Sequence, residues 1–204
     1  MLILPFAVLV GLLGGWAMNG SWRALLDARL WHPSFVLVAI AVQASLELPG
    51  VRDWPSGLRF AIVLATYFVL GCWLFNNVRC SSGRARFAFA VVGGGWTLNF
   101  LAIALNGGMP VSQSALARAG IAPSTSVIHG HFAKHVPMIH GTVLRALGDV
   151  IPLSLFRSVV SPGDIVMAVG VGVLVAAAMR SSLPGDRRAA APAPVPATQN
   201  PGSD

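Results

Sequence analysis

The chain has 204 residues, of which 55% are hydrophobic and only 10% charged, with a mean hydropathy of +0.71; a soluble domain carries about a quarter charged residues to wet its surface. The formal charge of +7 comes from 14 basic residues set in short clusters between apolar runs. Phosphate-gripping proteins gather such residues in a stripe or patch, so the charge pattern excludes nucleic acid and makes the lipid bilayer the expected partner.

The first apolar run covers residues 2–18. It lacks the basic start and small-x-small site of a cleaved signal peptide, so it is expected to remain as a span. Gly11 and Gly15 stand four apart, a spacing that lets two membrane helices approach closely. A connector with Arg23 and Arg29 leads to a second run, residues 34–48, which Pro49-Gly50 ends. Glu47 is the one ionisable side chain inside a proposed span, and near its end it is expected to be solvated or paired with Arg52. The third run, residues 58–75, is closed by Asn76, Asn77 and Arg79, and Arg84 and Arg86 follow. The fourth, residues 87–105, holds Gly93-Gly94-Gly95, and Gln43, Thr97 and Asn99 are read as hydrogen-bonding groups between helices. Cys72 and Cys80 give neither a disulfide framework nor a metal motif.

The last run, residues 162–180, has a marked start. Ser161 is placed to cap the helix, Pro162 to fill its first position, and Asp164 to face its positive end. Runs this long, without period-2 alternation, read as helices of roughly 22 to 29 Å, near the bilayer core once interfacial ends are added. The expected fold class is therefore an all-α integral membrane protein, a five-helix transmembrane bundle with a capping extracytoplasmic loop. Residues 1–182 form the membrane domain, and residues 183–204, an Ala/Pro-rich stretch with no apolar period, form a disordered tail. Five spans put the termini on opposite sides. Eight basic residues fall on the tail's side and six on the other, four of those in a long loop that counts less. The expected topology is N-terminus outside, C-terminus cytoplasmic, in the cell membrane.

The loop of residues 106–160 is long for a connection and strongly apolar, so it should pack as a cap over the helix ends. Asn106-Gly107-Gly108 is a turn able to take positive φ, and Ser112 can cap a short helix, residues 113–119, that Gly120 ends. Four ordered phrases carry a resemblance: Asn106-Gly107-Gly108-Met109-Pro110-Val111, Lys134-His135, Leu147-Gly148-Asp149-Val150-Ile151-Pro152 and Ser161-Pro162-Gly163-Asp164. Together they resemble a bacterial membrane family catalogued as domain of unknown function 5317. The resemblance implies a small multi-pass membrane protein and no particular reaction.

Four of the five histidines fall in this loop. His129, His131 and His135 have a spacing that could gather imidazoles around a metal, although no closed metal motif is present. Lys134, His135 and Asp149 could form an acid–base or anion-binding group, and with Asn106 they are the candidate ligand-binding residues. Asp149 and Asp164 could instead simply cap turns or helices. In so apolar a segment an isolated Lys or Asp is costly, so Lys134, His135 and Asp149 are expected to be neighbours. No nucleophile elbow, phosphate-cradling loop or cofactor phrase appears, so no cofactor is expected. The leading expectation is a non-enzymatic accessory, sensory or scaffolding module whose cap binds a small ligand or another membrane protein. The alternatives are a membrane enzyme using Lys134, His135 and Asp149, and a small transporter.

Overall fold

The computed structural model describes residues 3–28, 32–46, 48–121 and 135–180. Glu47, His129, His131, Lys134 and the expected tail at 183–204 lie outside the described residues. The chain is mostly helical. In order come α1 (Ile3–Ala17), α2 (Trp22–Leu26), α3 (Ser34–Ser45), α4 (Pro49–Arg52), α5 (Ser56–Cys80) and α6 (Gly83–Asn106). After β1 (Met109–Val111) come α7 (Gln113–Arg118), β2 (His135–Pro137), β3 (Ile151–Leu153), β4 (Ser158–Val160) and α8 (Pro162–Met179).

Three helices, α5, α6 and α8, are long and apolar enough to cross a membrane. α1 and α3 are apolar but shorter, with 15 and 12 residues. The second run thus departs from its expected bounds. Its helix stops at Ser45, and Leu48 takes the extended backbone that a following proline imposes, with Pro49 opening α4. The third and fourth runs grow longer than expected. Asn76 and Asn77 do not terminate α5, because each donates its side-chain amide to the carbonyl four residues back, Cys72 and Trp73, at 3.0 and 2.9 Å. The helix ends at Cys80, where the Arg86 guanidinium reaches back to the Ser81 carbonyl at 2.9 Å and favours the negative helix end.

Helix directions follow from side-chain neighbours. Going up α1, Gly11 lies against Gly172 and Gly15 against Met179, so α1 and α8 run parallel. Going up α6, Val92 lies against Gly170 and Asn99 against Gly163, so α6 and α8 run antiparallel. The backbones touch here. A Cβ on Gly95 would sit 2.5 Å from the Gly163 carbonyl, and one on Gly163 would collide with the Asn99 side chain. The spacing of Gly11 and Gly15 thus serves close packing. At the far end the Ser21 amide donates to the Met179 carbonyl at 2.7 Å.

The buried centre of the α3, α5 and α6 side comprises Leu46, Val63, Ala102 and Ile103, joined by Met109 from β1. Large side chains such as Leu13 on α1, Leu37 on α3 and Phe68 and Phe75 on α5 stay exposed. A folded chain that leaves so much apolar surface on long helices is built for an apolar surround.

The segment between α6 and α8 is not purely irregular, so all-α is too simple a description. β1 pairs in parallel with β2, Met109 opposite His135, and β3 pairs antiparallel with β4, Ile151 opposite Val160. The short α7 forms as its sequence requires: the Ser112 hydroxyl accepts from the Ala115 amide at 3.3 Å, and Gly120 follows with φ +68°.

Candidate functional site

β1 is the meeting point of the distinctive loop phrases. On one side it pairs with β2; on the other, Val111 bridges Asp149. The Pro110 carbonyl accepts from the Asp149 amide at 2.8 Å, and the Ser112 amide donates to the Asp149 carbonyl at 3.0 Å. Pro110 is fully buried and lacks an N–H, yet its carbonyl is used, so a proline here leaves no orphan donor. Gly148 passes directly against the Pro110 carbonyl, where a Cβ would collide.

These pairings hold two expected neighbours together. His135 Nε2 lies 3.6 Å from Asp149 Oδ2, although 14 residues separate them in sequence. Asp149 is only 6% exposed. The separation is longer than a hydrogen bond and short enough for a strong charge interaction when the imidazole is protonated. Lys134, the expected third member, lies outside the described residues. Asn106 belongs to a different contact. Its Nδ2 donates to the Ala102 and Val143 carbonyls at 2.8 and 2.9 Å, and its Oδ1 accepts from the Val143 amide at 2.8 Å. It ties the end of α6 to the segment between α6 and α8 and stands outside the cavity described next.

On the helix side, the start of α8 carries a complete capping box. Ser161 Oγ accepts from the Asp164 amide at 3.0 Å, and Asp164 Oδ2 accepts from the Ser161 amide at 3.2 Å. Asn99 of α6 closes the ring: its Nδ2 donates to Asp164 Oδ1 at 2.8 Å, and its Oδ1 accepts the Ser161 hydroxyl at 2.7 Å. Asn99 and Ser161 are almost wholly buried, so this ring satisfies polar groups that water cannot reach. The expected interhelical role of Asn99 is met. Thr97 instead turns back to the Gly93 carbonyl of its own helix at 2.8 Å.

Between the two groups lies a cavity of about 520 Å³. Its wall is mostly apolar, with Ile3 and Leu4 of α1, Ile103 of α6, Met109 and Val111 of β1, Leu116, Ile121 and Met167. Its polar groups are His135, Asp149, Asp164, Asn99, Tyr67 and Arg157. Tyr67, Asp149 and Asp164 line the same space. Among the described residues nothing hydrogen-bonds the Tyr67 hydroxyl. Arg157, with φ +44°, stands at the rim and donates to the Gly120 carbonyl at 3.1 Å. A concave, largely apolar space with a few convergent polar groups is the usual form of a small-molecule site, and this volume falls within the usual size range. Among the described residues no three His, Cys, Asp or Glu side chains are grouped to hold a metal; His129 and His131 lie outside the described residues.

Four of these groups went unread as site residues. Asp164 and Asn99 looked structural, and they are, but the same ring faces the cavity. Tyr67 is the only tyrosine in a chain with ten phenylalanines. That contrast, one hydroxyl where an apolar ring would serve packing, is the signal that could have found it. Nothing local marks Arg157, whose place depends on the β3–β4 hairpin.

Fold and site together define a mostly helical protein with membrane-type helices and a polar-ended cavity beneath the strand-bearing segment between α6 and α8. The chain belongs to a family of unknown function, DUF5317, whose model matches residues 27–176. No curated protein and no solved structure matches it.

Proposed function

We propose that this is a multi-pass membrane protein whose cap, residues 106–160, closes over a binding site for a small molecule, and that it works as a ligand-binding accessory or sensory module. The cavity carries this reading: its polar groups come from the cap and from three different helices, an arrangement that packing alone does not require. All five apolar runs are read as crossings, with α1 and α3 extended by their interfacial flanks. The helix directions support the alternation, because α1 starts at the cavity end beside α8 and Ser21 meets Met179 at the other end. The arginine distribution supports a cap on the outer face and a cytoplasmic C-terminus.

A second reading has one observation in its favour. His135 and Asp149 both line the cavity 3.6 Å apart, so an imidazole and a carboxylate stand together where a general base could act. No nucleophile or metal motif accompanies it in the sequence, so binding ranks first. The test is to purify the full-length protein from native membranes and identify the small molecules it retains. Wild type should retain a molecule that Ile121→Trp, which fills the cavity, loses. Identical retained molecules in both proteins would remove the cavity from the function.

A further inference from the structure

Resting on that reading of the cavity as a ligand site, we infer that its ligand is a small organic cation, an amine or ammonium carried on an apolar body. The argument begins at Asp164. Among the described residues its carboxylate oxygens receive one donor each, the Asn99 amide at 2.8 Å and the Ser161 backbone amide at 3.2 Å, and both donors are neutral. Each carboxylate oxygen has a second acceptor site, and the residue lines the cavity.

Tyr67 stands across the same space. It is half-buried, it lines the cavity, and its hydroxyl has no hydrogen-bond partner among the described residues. A phenol that lines the cavity without a protein partner offers its acceptor lone pairs to whatever fills the space. An ammonium would donate to Asp164 and to the Tyr67 oxygen at once, satisfying both with charge-assisted bonds.

The field points the same way. Asp149 and Asp164 are the acidic groups of the lining; Asp149 has His135 3.6 Å away, whereas Asp164 meets only neutral donors among the described residues, and the one arginine of the lining, Arg157, is exposed with its guanidinium engaged by the Gly120 carbonyl. Low-dielectric walls focus such a field and favour a positive guest over a neutral one. The rest of the wall sets the body of the ligand. Ile103, Met109, Val111 and Leu116 offer only apolar contact, so a polyamine or a hydrated metal ion would leave charge against hydrocarbon.

Three probes with one body separate the possibilities: 2-phenylethylammonium, 2-phenylethanol and phenylacetate. Each is titrated against the full-length protein in phosphatidylcholine nanodiscs by calorimetry, with empty nanodiscs as the blank. The ammonium should bind roughly tenfold or more tightly than the alcohol, since a charge-assisted bond is worth more than a neutral one, and the carboxylate should bind least. Asp164→Asn should abolish that preference. Tyr67→Phe, which leaves the helix cap untouched, should weaken the ammonium severalfold and leave the alcohol closer to wild type. Equal or tighter binding of the alcohol or the carboxylate overturns the cation assignment and leaves the cavity reading standing. Ammonium binding that ignores both variants also overturns it, because the site is then elsewhere. No saturable binding of any probe overturns it too, and, if Ile121→Trp retains the same molecules as wild type, the cavity reading falls with it.

Discussion

Asn99 bonds in two directions with one amide, donating to Asp164 and accepting from Ser161. It is 1% exposed, as few polar side chains among the described residues are. Truncation to alanine would strand the Ser161 hydroxyl and one carboxylate oxygen where water has little access. Asn99→Ala should therefore destabilise the protein by about 2 kcal/mol or more, whereas Ser161→Ala, which removes the cap acceptor, should cost about 0.5–2 kcal/mol. Because the two changes break one shared ring, the double variant should cost less than their sum. Thermal unfolding in detergent reads all three, and strict additivity would show that the ring is not cooperative. The capping part of this ring was legible in Ser161-Pro162-Gly163-Asp164, since a helix start is written in adjacent residues. Asn99's place in it was legible only as an interhelical polar group, because its partners lie 62 and 65 residues away.

At the scale of elements, the fold is held by close helix contact. α8 lies against both α1 and α6, and at each contact glycines bring backbone against backbone. Two substitutions of the same chemistry separate contact from helix propensity. Gly163→Ala pushes a methyl into Asn99 and the Gly95 carbonyl, and should cost about 1–3 kcal/mol. Gly93→Ala, on the same helix pair but with nothing within 4 Å of its added methyl, should be neutral or stabilising by up to about 1 kcal/mol. Equal effects in a denaturation series would mean that the close contact carries no energetic weight. The apolar runs made all five long or moderate helices legible, and their ends less so. Asn76 and Asn77 look like terminators, yet they return their amides to their own helix; α3 closes at Ser45, with Leu46 as its cap, before the proline that seemed to mark its end. The strands were not legible at all. Three residues show no period, and β1 meets β2 across more than twenty intervening residues, so only tertiary packing could reveal the pair.

For the molecule as a whole, the cavity depends on contacts that no local pattern encodes: α1, α5, α6, α8 and the segment between α6 and α8 each contribute to its wall. The approach of His135 and Asp149 could be argued from desolvation alone, because a charge in an apolar segment needs company. Tyr67 and Arg157 needed the fold. The arrangement in the membrane is the remaining prediction, and it follows from direction and charge together. α1 and α8 run parallel and α6 runs against them, so an N-terminus at the cavity end leaves the end of α8 at the opposite face. Arg79 at the end of α5 and Arg84 and Arg86 at the start of α6 flank the short connector at that opposite face, and short connections flanked by arginines stay cytoplasmic. After replacing the two free cysteines, Cys72 and Cys80, with serine, single cysteines are placed at the exposed Gln113 of α7 and at Ala190. A membrane-impermeant maleimide applied to intact cells should label Gln113→Cys and leave Ala190→Cys untouched until the cells are opened. The reverse pattern inverts the orientation. Labelling of both from the same side makes the number of crossings between them even, and five spans then cannot hold.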